Sequence, residues 1–218
     1  MAKHLHRELD KIKKRILSLG ALVEERVHMT AEAIHSRDAA IAHKIIDLDW
    51  EIDEIEVEVE EECLKVLALY QPVAVDLRFL VATIKINNDL ERIGDEAVNI
   101  SERVVTMSKR PDPGFIFDYN PMVEKAQAMM KMSLDALVNL DVDIAFKVIT
   151  LDDDVDAIQK EAYDKIKAVI KQKPDRVAYL VNLLLISRHV ERLADHCTNI
   201  AEEVIYLIEG EIIRHQNP

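Results

Sequence analysis

All six prolines of this chain fall outside the segments in which apolar residues recur every three or four positions. A proline has no backbone N–H and its ring clashes with the preceding helical turn, so its position marks where helices stop. Pro72 and Pro174 each separate two long periodic segments, Pro111, Pro113 and Pro121 cluster in mid-chain, and Pro218 ends the sequence. Only four glycines occur in 218 residues, so little else interrupts the periodic runs. Apolar residues make up 49% and charged residues 32%, with 5% aromatics, a composition that suits long amphipathic helices. The expected fold class is all-α.

Asp38 and Asp141 each precede a fresh apolar rhythm, where an Asp side chain can accept from the first free N–H groups of a helix. With these as N-caps, the expected helices are 3–36, 38–70, 72–108, 121–139, 141–172 and 174–209. At ~1.5 Å per residue the longest reach ~50 Å. The segment 38–70 carries a narrow seam of Ile45, Leu48, Ile52, Ile55, Val59, Val66 and Tyr70, and 72–108 carries Leu90, Ile93, Ala97, Ile100 and Val104. Short connections at Pro72 and Pro174 imply antiparallel neighbours in bundles. The stretch Lys109 to Pro121 holds three prolines and one of the four glycines, which divides the chain into residues 1–110 and 111–218.

The two halves repeat. An offset of 103 sets Met29 on Met132, and an offset of 100 sets NNDLERIGDEAVNISE from Asn87 on SRHVERLADHCTNIAE from Ser187. Two copies of one three-helix unit follow, so a feature present in both copies weighs more than one found once.

Four acid pairs at i, i+4 meet that test: Asp49/Asp53 with Asp152/Asp156, and Glu91/Asp95 with Glu191/Asp195. This spacing stacks like charges on one helix face at a cost of a few tenths of a kcal/mol per pair. Each pair borders the apolar seam. Counted from the turn near Pro72, Asp53 and Asp49 lie about 18 and 22 residues back, and Glu91 and Asp95 about 20 and 24 ahead. In an antiparallel pair these are nearly the same height, so four acids should meet across each seam. Such a quartet repels itself unless a cation or shared protons intervene. Oxygen-only ligands suit hard ions such as iron(III), manganese, magnesium or calcium, and can hold zinc.

Other candidates are weaker. Glu25-x-x-His28 and Glu32-x-x-His35 have the ligand spacing of di-iron bundles, but the second copy places Ala128, Lys131, Asp135 and Val138 there. They are expected on the surface. His196 adjoins Asp195 but is matched by Glu96, and Asn99 and Asn199 extend each acid line by one turn as ligands or packing amides. Gly94 and Ala194 are expected to permit close helix approach. Cys63 and Cys197 lack a CxxC context and are expected core thiols. No phosphate loop or nucleophile motif carries enzymatic chemistry.

The net charge of −13 gives no support to a nucleic-acid grip and points to cations and basic protein patches. The basic cluster Lys3, Arg7, Lys11, Lys13, Lys14 and Arg15 could touch anionic lipid or a partner's acidic face, and a solvated helix surface is the expected reading. The first thirty residues contain no signal-like apolar run, and Ala178 to Ile186 is about half a membrane span. A cytoplasmic location is expected.

At these same residues the chain resembles the PhoU family of phosphate-transport regulators, through QPVAVDLRFL from Gln71, NNDLERIGDEAVNIS from Asn87 and HVERLADHCTNIAEEVIYLIEG from His189. The resemblance spans almost the whole chain and implies two tandem three-helix bundles in a cytoplasmic, non-enzymatic homodimer. It implies a negative regulator of the phosphate-starvation response that links a phosphate ABC transporter, through its ATPase, to a sensor histidine kinase. It also implies multinuclear metal clusters, of iron first and of zinc or another divalent ion as alternatives, held by the E/D-x-x-x-D pairs named above. The rival from another class is a carboxylate-bridged, ferritin-like metal enzyme or storage protein. The second turn, KPDRVAYL, departs from QPVAVDLRFL, so contacts through Asp76 and Arg78 would belong to one half only.

Overall fold

The computed structural model describes residues 2–110 and 117–212. Seven α-helices follow in order: α1 (Ala2–Ser36), α2 (Ala39–Asp47), α3 (Trp50–Tyr70), α4 (Ala74–Ser108), α5 (Asn120–Asn139), α6 (Val142–Gln172) and α7 (Val177–Glu209). No strand occurs among the described residues. The first bundle comprises α1, the α2–α3 pair and α4, and the second comprises α5, α6 and α7. The division at 110/111 falls at the edge of residues 111–116, which lie outside the described residues.

The caps sit where the sequence places them. Asp38 accepts from Ala40 N at 2.7 Å and Asp141 from Ile144 N at 2.9 Å. Arg37 and Leu140, equivalent under the offset of 103, both adopt positive φ (55° and 53°) before those caps. The shared left-handed residue turns the chain back on itself in both copies, at a cost of about 1–2 kcal/mol without glycine.

One expectation fails. The single helix 38–70 is broken at Leu48 and Asp49 into α2 and α3. There the backbone tightens to i−3 bonds: Leu48 N to Ile45 O at 3.3 Å, Glu51 N to Leu48 O at 3.2 Å and Ile52 N to Asp49 O at 2.9 Å. Its counterpart α6 runs unbroken through Asp152. The difference coincides with a partly buried ion pair: Arg26 of α1, 3% exposed, donates from Nη2 to Glu51 Oε2 at 2.5 Å, just past the break. The equivalent of Arg26 is the fully buried Met129, which can make no such bond.

The core is continuous through both bundles. Ile45, Ile52, Val59, Cys63 and Val66 meet Leu90, Ile93, Ala97, Ile100 and Val104 across the first seam, and Cys197 is likewise fully buried. Burial pushes the Cys63 thiol up to about 12 and that of Cys197 higher still, so both are inert core thiols. The most extensive helix contact joins α4 to α7, and α1 also meets α5, so the bundles pack side by side.

Candidate metal centres

Each quartet lies where two antiparallel helices of one bundle face each other, α3 with α4 and α6 with α7. Ile52 stands between Asp49 and Asp53, and Gly94 between Glu91 and Asp95. A Cβ built on Gly94 would lie 2.9 Å from Ile52 Cδ1, so this glycine permits the close approach that brings the acids together.

Within each quartet the charges of the acids bear on one another. Asp49 is raised to about 6 by partial burial and by the charges of Asp53 and Asp95. Glu91 is raised by burial, then by Asp95, with Asp53 and Glu56 adding to it and Arg92 opposing. In the second bundle Asp152 is raised to about 6 by burial, Asp195 and Asp156. Glu191 is raised by burial, Asp156 and Asp152. Asp195, whose surface stays open to solvent, is raised to about 6 by desolvation, then Glu191 and Asp156. The outer members Asp53 and Asp156 are exposed.

Cations already present neutralise the quartets unequally. Arg92 donates from Nη1 to Asp95 Oδ2 at 3.0 Å and brings Nε within 3.4 Å of Glu91 Oε2. Its equivalent Arg192 turns away to Glu96, at 3.1 Å. One buried carboxylate oxygen in each quartet, Glu91 Oε2 and Asp152 Oδ1, makes no well-formed hydrogen bond; the first has only the long contact to Arg92 Nε, and Thr198 beside Asp152 opposes the rise of its carboxyl. A buried acceptor without a donor costs free energy, and a cation relieves that cost as a donor would. The donor set is therefore chemically suited to a hard cation. No group of three or more His, Cys, Asp or Glu among the described residues is arranged to hold an ion as the side chains stand.

The weaker candidates resolve individually. Glu25, His28, Glu32 and His35 lie exposed on α1, with His28 at 2.9 Å from Gln127 and His35 at 3.4 Å from Asn120. His196 Nδ1 lies 2.9 Å from Asp89 Oδ1, and Asn199 donates to the same oxygen at 3.1 Å, so neither points to a quartet.

That last contact belongs to a feature which sequence reasoning missed. On the α4–α7 contact, Asp89 pairs with His196 and Glu96 with His189, the latter at 2.6 Å. The offset of 100 maps Asp89 to His189 and Glu96 to His196, so the bundles meet through a pseudo-two-fold pairing of position 89/189 with 96/196. Both acids sit on α4 and both histidines on α7. The signal was available as complementary residues at repeat-equivalent positions. Glu56 was also missed: it is raised by burial and by Glu60 and Asp53, and Asn87 donates to its carbonyl at 2.9 Å.

A tandem all-helical protein with one acidic quartet per bundle and an ion-paired contact between bundles is the class these features define. The family model described as PhoU domain matches residues 16–104 and 120–204, and the chain belongs to the PhoU family. The phosphate-specific transport system accessory protein PhoU homolog of Aquifex aeolicus is 36% identical over 213 residues, covering 98% of this chain and 96% of that protein. The homolog from Pseudomonas aeruginosa is 32% identical over 216 residues, with coverage of 99% and 89%. The crystal structure of PhoU from Pseudomonas aeruginosa superposes with a TM-score of 0.92 over 94% of this chain and 99% of that one, at 32% identity. The phosphate transport system regulatory protein PhoU from Streptococcus pneumoniae gives a TM-score of 0.84 at 28% identity, over 95% and 98%.

Proposed function

We propose that this protein is an accessory regulator of phosphate uptake. It acts as a metal-binding adaptor between the ATPase of a phosphate ABC transporter and a sensor histidine kinase, and holds the phosphate-starvation response off when phosphate is plentiful. Relatives matched along nearly their whole length bear the name phosphate-specific transport system accessory protein, which supports the transport link. No helix among the described residues is long and apolar enough to cross a membrane, which fits an adaptor that meets the bilayer through its partners. The reading is cytoplasmic, non-enzymatic and homodimeric.

The observation that supports the metal part is the repeat, in each quartet, of one buried carboxylate oxygen without a well-formed hydrogen bond among acids whose charges raise one another. Asp49, Asp53, Glu91 and Asp95 would hold one cluster, and Asp152, Asp156, Glu191 and Asp195 the other. Bound iron, or zinc or another divalent ion in its place, would supply positive charge that lets all four carboxylates ionise together. Isothermal titration of the Asp49→Ala/Asp53→Ala protein tests this: iron or zinc uptake should fall by about half, with the second quartet spared. Unchanged uptake refutes the assignment. For the adaptor role, deletion should leave starvation genes on in phosphate-rich medium; normal regulation in the deletion strain refutes it.

A further inference from the structure

We propose that the cleft beside the α3–α4 turn is a docking surface for a protein partner that presents an apolar anchor flanked by acidic side chains. The proposal rests on the adaptor reading and adds to it the face used and the chemistry of the partner.

The cleft has a volume of about 430 Å³ and lies where both bundles meet, between α1, the start of α4 and the ends of α5 and α7. Its walls are mostly hydrocarbon, with Leu9, Leu17, Phe79, Leu137 and Leu207 among them. Arg78 opens onto it. The guanidinium makes no hydrogen bond or ion pair with the described residues, and its Nε is buried without a partner. It is packed over Gly210, whose lack of a side chain leaves room for it: a Cβ there would stand 3.1 Å from Nη1. A half-buried guanidinium in an apolar wall lacks the compensation that a carboxylate gives bidentately.

Charge around the cleft has the same sense. Lys13 is exposed on its lip and makes no ion pair among the described residues, and Lys3 lies one turn before His6 on the same side of α1. The first 15 residues contain six Lys or Arg against two acids, in a chain where acids outnumber bases by 41 to 28. Asp10 and Asp76 also reach the cleft, and neither pairs with Arg78 or Lys13.

The rim is apolar and open. Val75, 59% exposed, and Leu140, 48% exposed, both line the cleft, and Val73, 75% exposed, and Leu77, 40%, flank Val75 in the chain. Contiguous exposed hydrocarbon next to a cleft marks a contact surface. The repeat offers a comparison: the corresponding turn, Lys173-Pro174-Asp175-Arg176, carries charge where the first has Val73 and Ala74, while Val177 keeps an exposed valine matching Val75. Gln71 and Ala74 hold positive φ in the first turn (47° and 50°), whereas no residue of 173–176 does.

Of the other occupants, a second copy placed two-fold across this face would set the basic strip against itself. A flat bilayer would touch the rim but leave the cleft unfilled. An acidic, apolar-anchored protein segment satisfies both the walls and Arg78.

The test uses two probes, the purified ATPase subunit of the cognate phosphate transporter and the full-length cognate histidine kinase in nanodiscs, with binding to full-length protein followed by interferometry. Val75→Ser and Arg78→Glu should weaken one of them at least 10-fold, while Val181→Ser, an exposed site on the second bundle, should not. Val75 is exposed, so its variant keeps the test sharp if Arg78→Glu unfolds the protein. Equal binding by wild type and both variants overturns the docking face and leaves the adaptor reading standing. If neither probe binds wild-type protein, the adaptor reading fails and the surface falls with it. Flotation of wild-type protein, but not the variants, with phosphatidylglycerol vesicles overturns the proposal in favour of a membrane patch. A lower sedimentation mass in the variants overturns it in favour of self-association.

Discussion

Replacing Gly94 by alanine should destabilise the first bundle, and replacing Ile52 by valine at the same time should restore it. The new Cβ would stand 2.9 Å from Ile52 Cδ1 and 3.4 Å from Cγ2. Ile52 is 1% exposed, so its displaced methyl presses on neighbours that are already packed. Overpacking of this kind costs about 1–3 kcal/mol. It is offset by about 1 kcal/mol because alanine is the better residue in a helix interior. Gly94→Ala alone should therefore lose about 1 kcal/mol. Ile52→Val alone removes Cδ1, leaves a small void and should lose about 0.5–1.5 kcal/mol.

In the double variant the alanine methyl takes the space that Cδ1 vacates, so clash and void disappear together. The second bundle has that combination already, with Val155 and Ala194 at the equivalent positions, both fully buried. Urea unfolding of the metal-free wild type, both single variants and the double variant gives the interaction energy directly. It should favour the pair by about 1–3 kcal/mol. A loss of 1 kcal/mol corresponds to about 2–4 °C in Tm for a chain of this size. Additivity within about 0.5 kcal/mol would refute the packing account.

The caps are separable from the site: Asp38→Ala and Asp141→Ala should each cost about 1 kcal/mol in urea unfolding, and no loss would show the capping bonds to be idle. Between the bundles, Glu96→Ala strips a 2%-exposed carboxylate from both His189 and Arg192 and should cost about 2 kcal/mol, more than the exposed Asp53→Ala. The pH dependence has a definite sign. Asp49, Asp152 and Asp195 sit at about 6 when folded, so between pH ~4 and ~6 the folded state binds more protons than the unfolded one. The metal-free protein should gain stability on acidification from pH 7 to 5, by about 1–2 kcal/mol in all once solvent screening is allowed for. With iron or zinc loaded the trend should reverse, since the ion needs deprotonated ligands. Thermal melts at the two pH values, with and without metal, check both signs.

What the sequence made legible was whatever a helix dictates locally or a repeat states twice. Proline positions, the caps at Asp38 and Asp141 and the seam from Leu90 to Val104 need only 3.6-residue periodicity and backbone chemistry. The placing of the acid pairs on facing helices rests on register, because both bundles count nearly equal distances from a short turn. The break at Leu48 was invisible to periodicity, since Ile45, Leu48 and Ile52 keep their spacing through it. It coincides with a tertiary bond from Arg26, and the one clue was a charged residue on the apolar stripe of Leu19, Val23 and Ala33. The cross-paired histidines and acids needed the relation between the bundles as well as the repeat. Two copies of a unit can share every internal contact and still pack together in many ways.

That relation gives the quartets a route to a surface. Glu91 and Asp95 lie on the side of α4 that faces α3, while Asp89 and Glu96 lie on the side that faces α7, all within two turns. The same holds on α7, where Glu191 and Asp195 are interleaved with His189 and His196. A helix of 35 or 33 residues moves as a rod over two turns, so any shift in α4 that draws the acids onto an ion also moves the residues that hold the bundles together. Quartet variants separate two consequences. A folded variant with an unchanged melting temperature and lost repression would show that the ion tunes the contact with partners. A lower melting temperature with intact repression would show that the ion only neutralises the acids, and a variant with neither effect would refute any role for the quartets.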